Sequence, residues 1–421
     1  MTNLLGILMM VGLWIGCGGD SPTGDEKKEL LTWTTTYNDG SVKEEYQYYH
    51  HPDNNRRIKD GWYNSYHENG EYWEIGTYKD DKKEGTWSEY DETGNIINED
   101  IYREGSCVES CDWRKTFGDG WGHSVQQTVD GGFIVTGFDR VFVLLLKTDG
   151  QGIEQWRKTF GDGWGHSVQQ TVDGGFIVTG NDGNSDLLLL KTDGQGIQQW
   201  RKTFGDGYGD SVQQTVDGGF IVTGYDGDDE GVLLLKTDGQ GIEQWRKIFG
   251  DGWGHSVQQT VDGGFIVTGY DGDDDGDVLL FKTDGQGIEQ WRQTFGDGSG
   301  YSGQQTVDGG FVVTGNDGNS DLLLLKTDGQ GIEQWRQTFG DGYGNSVQQT
   351  VDGGFIVTGE KDNGSNVSLL KTDGQGNEEW RKTLKDGWFG SVQQTVDGGF
   401  IVTGRDDGGL LLLKTDELGT I

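Results

Sequence analysis

A segment of 43 to 46 residues recurs, nearly unchanged, from Trp113 to the C-terminus, and nothing else in the chain restricts its fold as strongly. One copy reads Trp156-Arg-Lys-Thr-Phe-Gly-Asp-Gly-Trp-Gly-His-Ser-Val-Gln-Gln-Thr-Val-Asp-Gly-Gly-Phe-Ile-Val-Thr-Gly and ends on Leu187-Leu-Leu-Leu-Lys-Thr-Asp-Gly-Gln-Gly. From the repeat tryptophan (Trp113, Trp156, Trp200, Trp245, Trp291, Trp335, Trp380) to the Phe of Asp-Gly-Gly-Phe is always 20 residues. From the Lys of Lys-Thr-Asp to the next repeat tryptophan is always 9. The interval between that Phe and that Lys runs from 14 to 17, so one loop takes up every insertion.

Each copy reads as four short strands. Ser-Val-Gln-Gln-Thr turns through Val-Asp-Gly-Gly into Phe-Ile-Val-Thr-Gly, a hairpin signal of the Asp-Gly type. The variable Asp/Gly loop leads to the leucine run, and Thr-Asp-Gly-Gln-Gly leads on to Ile-Glu-Gln-Trp-Arg-Lys-Thr-Phe. The leucine runs are continuous rather than alternating, as a strand covered on both faces requires. Glycines interrupt every apolar run well short of a helix. Four strands in this length match one blade of a propeller. The region opens on a lone fourth strand, Asp112–Phe117, and closes at Leu410–Asp416 with no tryptophan strand after it. The fold expected is therefore all-β: a seven-bladed β-propeller over 112–421 closed by its N-terminal strand, which removes the free sheet edges.

A net charge of -37 excludes nucleic acid as a partner, because phosphate neutralisation needs basic patches. With 77 Gly and only 2 Pro, the composition fits turn-rich β architecture. Residues 4–16 form an apolar run too short to span a bilayer but long enough for a signal core. With Cys17 directly after Gly16, the segment 1–17 resembles a bacterial lipoprotein signal, which implies export and lipidation at Cys17. Simple secretion or an uncleaved anchor is the alternative. Residues 18–30 read as a flexible tether.

Residues 31–105 hold a second repeat. Gly61-Trp-Tyr-Asn-Ser-Tyr66-His-Glu-Asn-Gly70 aligns with Gly85-Thr-Trp-Ser-Glu-Tyr90-Asp-Glu-Thr-Gly94 at a 24-residue period, and Tyr78 and Tyr102 keep the same offset. Short aromatic strands between Asn-Gly and similar turns predict a single layer of hairpins. The pattern resembles the MORN-variant repeat of bacterial envelope proteins, which implies contact-making rather than chemistry. At the junction, 106–111, Cys107 and Cys111 form the even pair left in an exported chain and are expected to be disulfide-bonded.

In the expected propeller the fourth-to-first and second-to-third connections share one face, and the Asp-Gly-Gly and Asp-Gly-Gln-Gly turns share the other. The first face carries the only loop of variable length together with Gly-Asp-Gly-aromatic, whose aromatics are Trp121, Trp164, Tyr208, Trp253, Tyr343 and Trp388; the fifth unit has Ser299, followed by Tyr301. Such rings can stack on sugar C–H faces beside Asp acceptors, or pack between blades. The loops Asp226-Gly-Asp228-Asp-Glu230 and Asp271-Gly-Asp273-Asp-Asp275 match the opening half of a Ca²⁺ loop, although Lys282 stands where the closing acid would be. Calcium is thus the one cofactor these loops could take, with a solvated loop as the alternative. His123, His166 and His255 follow the aromatic in three units, but Asp210, Tyr301 and Asn345 elsewhere close no ring of zinc ligands. The Gln-Gln pair, for example Gln169 and Gln170, is expected to line a channel or bridge neighbours.

The segment ending in Trp156 resembles the tryptophan-docking motif of quinoprotein-type propellers, and the repeat is similar to those of secreted bacterial propeller lipoproteins. The quinone enzymes use eight blades and adjacent cysteines, so cofactor binding is not implied. No catalytic residue stands out: Asp119, Asp162, Asp206 and Asp251 repeat identically. The expected function is non-catalytic recognition of glycan or an envelope protein by a monomer lipid-anchored at the bacterial outer membrane or cell surface, with a periplasmic or secreted location as the alternative. The competing functions are an envelope scaffold and a secreted polysaccharide hydrolase or lyase.

Overall fold

The computed structural model describes residues 30–37, 39–51, 56–103, 106–109, 113–272, 276–360, 366–385, 387–406 and 408–420. No helix occurs among them, so the chain is all-β as expected. It divides into two compact units between Ser106 and Cys107, at the start of the expected junction. Cys17 and Cys111 lie outside the described residues.

The first unit is built on a meander in sequence order, its first six strands antiparallel, whose seventh strand runs past the division at Ser106. They are β1 (Leu31–Thr36), β2 (Val42–His50), β3 (Arg57–Tyr66), β4 (Tyr72–Lys79), β5 (Lys82–Tyr90), β6 (Ile96–Arg103) and β7 (Ser106–Glu109), with Cys107 on the last. A lone sheet has no second layer to bury against, and here aromatic rings supply the cover. Tyr63 lies 5.3 Å from Trp87, and the Lys83 ammonium sits 3.9 Å above the indole. Gly76 leaves room for that indole, since a Cβ there would meet the ring at 2.1 Å.

The second unit opens with β8 (Trp113–Phe117), β9 (Trp121–Gln127), β10 (Phe133–Asp139), β11 (Phe142–Thr148) and β12 (Glu154–Gln170). Strand β10 pairs with β9 and β11, and β11 pairs with the first half of β12, all antiparallel. The second half of β12 pairs with Phe176–Asp182 of the next repeat. The Gly-Asp-Gly stretch, expected to be a loop between strands, is thus extended backbone inside one 17-residue strand. Gly163, at φ 133°, makes that passage possible: a Cβ there would lie 2.2 Å from the Asn181 carbonyl oxygen. The same 17-residue span recurs at Gln198–Gln214, Glu243–Gln259 and Glu289–Gln305.

Successive residues of a strand point to opposite faces, and the leucine runs use both. Leu144 and Leu146 pack into one core with Phe133, Val135, Leu410 and Leu412. Val143 and Leu145 pack into the next, with Phe176, Val178, Leu188 and Leu190. Each repeat tryptophan covers its successor: Trp156 lies 5.9 Å from Phe176 and against Gly196, where a Cβ would meet the indole at 2.7 Å.

The glutamine pair bridges neighbours, as expected. The first glutamine of each repeat accepts, through Oε1, the backbone N–H of the second glutamine in the following repeat, at 2.5–2.7 Å. Gln393 of the last repeat does the same for Gln127 of the first, at 2.6 Å. Strand β8 pairs antiparallel with Gly409–Thr415, from Leu410↔Phe117 to Lys414↔Trp113, and Arg114 reaches Asp406 at 3.0 Å.

Candidate functional site

The aromatic of each Gly-Asp-Gly-aromatic sits where the chain enters the first strand of a repeat, directly opposite the residue after Phe-Ile-Val-Thr-Gly. Trp121 faces Phe138, Trp164 faces Asn181, Tyr208 faces Tyr225, Trp253 faces Tyr270 and Trp388 faces Arg405. The loops of variable length adjoin this row: the Gly163 and Gly207 amides donate to the Val141 and Ser185 carbonyls. The two kinds of connection expected to share a face do meet.

The rings form two stacked groups rather than separate platforms. Trp121 lies 5.7 Å from both Phe138 and Trp388, and Phe138 stacks on Trp164 at 5.3 Å. Trp253 is held between Tyr208 at 5.5 Å and Tyr225 at 4.7 Å. Tyr343 lies 6.4 Å from Tyr301. Most of these rings are half-buried, while Trp164 keeps 47% of its surface exposed. Packing and exposure therefore coexist: Trp253 chiefly packs, and Trp164 presents a free edge.

Beneath the rings the histidine position forms a polar knot. The Asp210 carboxylate lies 3.0 Å from His166 Nδ1 and 3.7 Å from His255 Nδ1, and it accepts the Trp253 indole N–H. Burial pushes the Asp210 carboxyl up, but hydrogen bonds and charge from His166 and His255 outweigh it and hold the group well below the usual carboxylate range. Burial, with repulsion from His166 added, pushes the His123 imidazole down to about 3, so it is neutral and donates Nδ1–H to the Gly165 carbonyl at 3.0 Å. Through Asp210 the knot ties the Trp253 indole to His166 and His255.

Of the candidate calcium ligands, Asp226, Asp228, Glu230 and Asp271 lie among the described residues. Asp226 turns back on its own loop, accepting the Asp228 and Asp229 amides at 3.2 and 3.0 Å, and it pairs with Arg246 at 3.4 Å. Asp271 lies 3.9 Å from Arg292. Glu230 takes a left-handed backbone, φ 54°, to close its turn. Asp273 and Asp275 lie outside the described residues. Among the described residues no group of three or more His, Cys, Asp or Glu is placed to hold a metal ion.

Where Ser299 replaces the aromatic, a hollow of about 610 Å³ opens, lined by Tyr270, Asp297, Ser299, Asn316, Asp317 and Ser320 among others. The side-chain oxygens of Asn316 and of its equivalent Asn181 are buried without a hydrogen-bond partner among the described residues. Sequence reasoning missed Phe138, Tyr225 and Tyr270, though a signal was present. In the segment Phe-Ile-Val-Thr-Gly-x, the residue x is Phe138, Asn181, Tyr225, Tyr270, Asn316, Glu360 or Arg405, and it changes while its neighbours barely do.

The sequence matches no protein-family model and no curated protein.

Proposed function

We propose that residues 112–421 close into a seven-bladed propeller whose aromatic face recognises glycan or an envelope protein without catalysis, on a chain held at the bacterial envelope by a lipid on Cys17. The pairing of β8 with Gly409–Thr415 and the Gln393–Gln127 bond support closure. In this reading the MORN-variant-like sheet is a contact module.

One observation carries the functional part: substitution within near-identical repeats gathers on one face. The aromatic position, the histidine position two residues on and the position after Phe-Ile-Val-Thr-Gly all vary and all meet there. Core positions change only among a few mostly apolar residues, whereas varied polar and aromatic side chains on a repeated framework are where recognition is tuned. Glycan is favoured by the half-exposed Trp164 ring, and by the hollow lined by Tyr270 together with the polar Asp297, Ser299 and Ser320. Flat rings cover sugar C–H faces while such acceptors take hydroxyls.

The test is a glycan array with the purified chain and its Trp164→Ala variant. Because little packs on the exposed edge of Trp164, its loss should weaken glycan binding about tenfold or more, roughly the worth of one aromatic contact, with the thermal midpoint unchanged. Capture of an envelope protein with no glycan bound moves the reading to the protein partner. Turnover of any polysaccharide by the purified chain overturns the non-catalytic assignment.

A further inference from the structure

The first glutamine of each pair has one end of its carboxamide committed and the other end open. Gln126 and its six equivalents through Gln393 line a channel of about 230 Å³, together with Val125 and its equivalents. Each Oε1 accepts a neighbour's backbone N–H. That contact fixes the orientation of the amide, because an NH₂ turned towards the same N–H would set donor against donor. The second glutamines are used at both ends in several repeats. Gln259, for example, accepts the Val216 N–H at 2.9 Å through Oε1 and donates through Nε2 to the Gly263 carbonyl at 3.4 Å. The Nε2 groups of the first glutamines meet no acceptor among the described residues.

The rest of the channel lining is valine, with Gly303 in the fifth repeat, and no carboxylate lies on it. At Gly303 the Thr268 hydroxyl takes the space that valine fills elsewhere, since a Cβ there would lie 2.1 Å from Thr268 Oγ1. The result is a set of side-chain N–H donors, one from each repeat, beside apolar side chains. On a chain of net charge -37 this is one of few surfaces suited to negative charge.

We propose that the channel binds a small anion, a halide or a compact oxyanion, on the ring of glutamine Nε2 groups. Seven donors from seven repeats can surround one ion, and their oxygens are already fixed by the neighbours, so little ordering is needed on binding. The proposal stands apart from the recognition face: it needs the Gln393–Gln127 contact but no glycan.

The experiment follows thermal unfolding of the full chain as bromide replaces gluconate at constant sodium and ionic strength, with sulfate and formate as parallel arms. A saturable rise in midpoint is expected with at least one of these anions, and the arm that saturates at lowest concentration distinguishes halide from oxyanion. Crystals grown with bromide should show its anomalous signal among the seven Nε2 atoms. The double variant Gln213→Glu, Gln304→Glu keeps an oxygen for the Gln259 and Gln349 amides but removes two NH₂ groups and adds negative charge. It should need about tenfold more anion for the same effect, or show none. No saturable rise with any of the three anions overturns the proposal, as does an equal response in the double variant. Should that variant fail to fold, wild-type crystals grown with bromide, sulfate or formate decide: density for any of these among the Nε2 atoms supports the site, and its absence with all three refutes it.

Discussion

Phe117→Ala tests the contact between the two ends of the repeat region directly. Phe117 is only 9% exposed and packs with Val125, Leu144, Ile401, Leu410 and Leu412, so its ring joins the first repeat to the last. Its equivalent between the first and second repeats, Phe160, is also 9% exposed and packs with Leu145, Val168 and Leu188. Truncating a buried Phe costs about 3–5 kcal/mol. For a unit of 310 residues (112–421) unfolding in one transition, an entropy of about 2.1 cal/mol/K per residue makes that loss a fall of roughly 5–8 °C in Tm. Differential scanning calorimetry of wild type, Phe117→Ala and Phe160→Ala compares the two sites within one molecule. If the N-terminal strand is docked as described, the two variants fall together. A fall below about 2 °C for Phe117→Ala, beside a full loss for Phe160→Ala, would refute the docking.

The buried lysines give two further expectations. Lys191 is 3% exposed and meets Asp173 at 3.0 Å, while the acid keeps 53% of its side chain in solvent. Removing the acid strands a buried ammonium, whereas Lys191→Met leaves a carboxylate that water can reach; Asp173→Ala should therefore be the more destabilising by about 1–3 kcal/mol in urea unfolding. Burial raises the Asp173 carboxyl, but the Thr171 hydroxyl, Lys191 and the Gly175 amide outweigh it and bring it down to about 2, and the equivalent Asp217, Asp262, Asp308 and Asp352 also fall to about 2. A folded-state value below the unfolded one, about 3.9, means that this stabilisation is complete above that value and is lost as pH falls towards 2. The thermal midpoint should drop through that window, and a midpoint flat from about pH 4 to pH 2 contradicts the assignment.

The parts of the fold that were legible follow from counting and periodicity. A surplus tryptophan strand at Trp113 and a missing one after Lys414 left only one economical pairing, and the two do pair. Continuous leucines implied cover on both faces, and Leu144 and Leu145 do enter different cores. The Gly-Asp-Gly stretch misled because glycine and aspartate are ordinary loop residues. Here Gly161 and Gly163 instead carry positive φ within an extended chain whose amides pair with the adjoining loop. In the Asp-rich loops Asp226 and Asp317 accept their own turn amides, a use that leaves the same letters in the sequence as a cation loop. The Asp210 knot was hidden because its partners, His166 and His255, come from the repeats on either side.

The contacts at the meeting of the two ends carry no special chemistry. Arg114 reaches Asp406 as Arg157 reaches Asp139 and Arg246 reaches Asp226. Trp113 covers Phe133 and Gly152 as Trp156 covers Phe176 and Gly196. Strand β8 differs from its equivalents only in connectivity, because no leucine strand precedes it in the repeat region. Every other leucine strand runs through a tight Asp-Gly turn into its own tryptophan strand, whereas Leu410–Lys414 pairs with β8. Near-identical repeats would otherwise invite mispairing between copies. Local turns that close faster than distant strands can compete remove that ambiguity before the ends meet. The Asp-Gly-Gly turns and the glutamine pairs recur in every repeat, while the three positions that vary meet on the aromatic face.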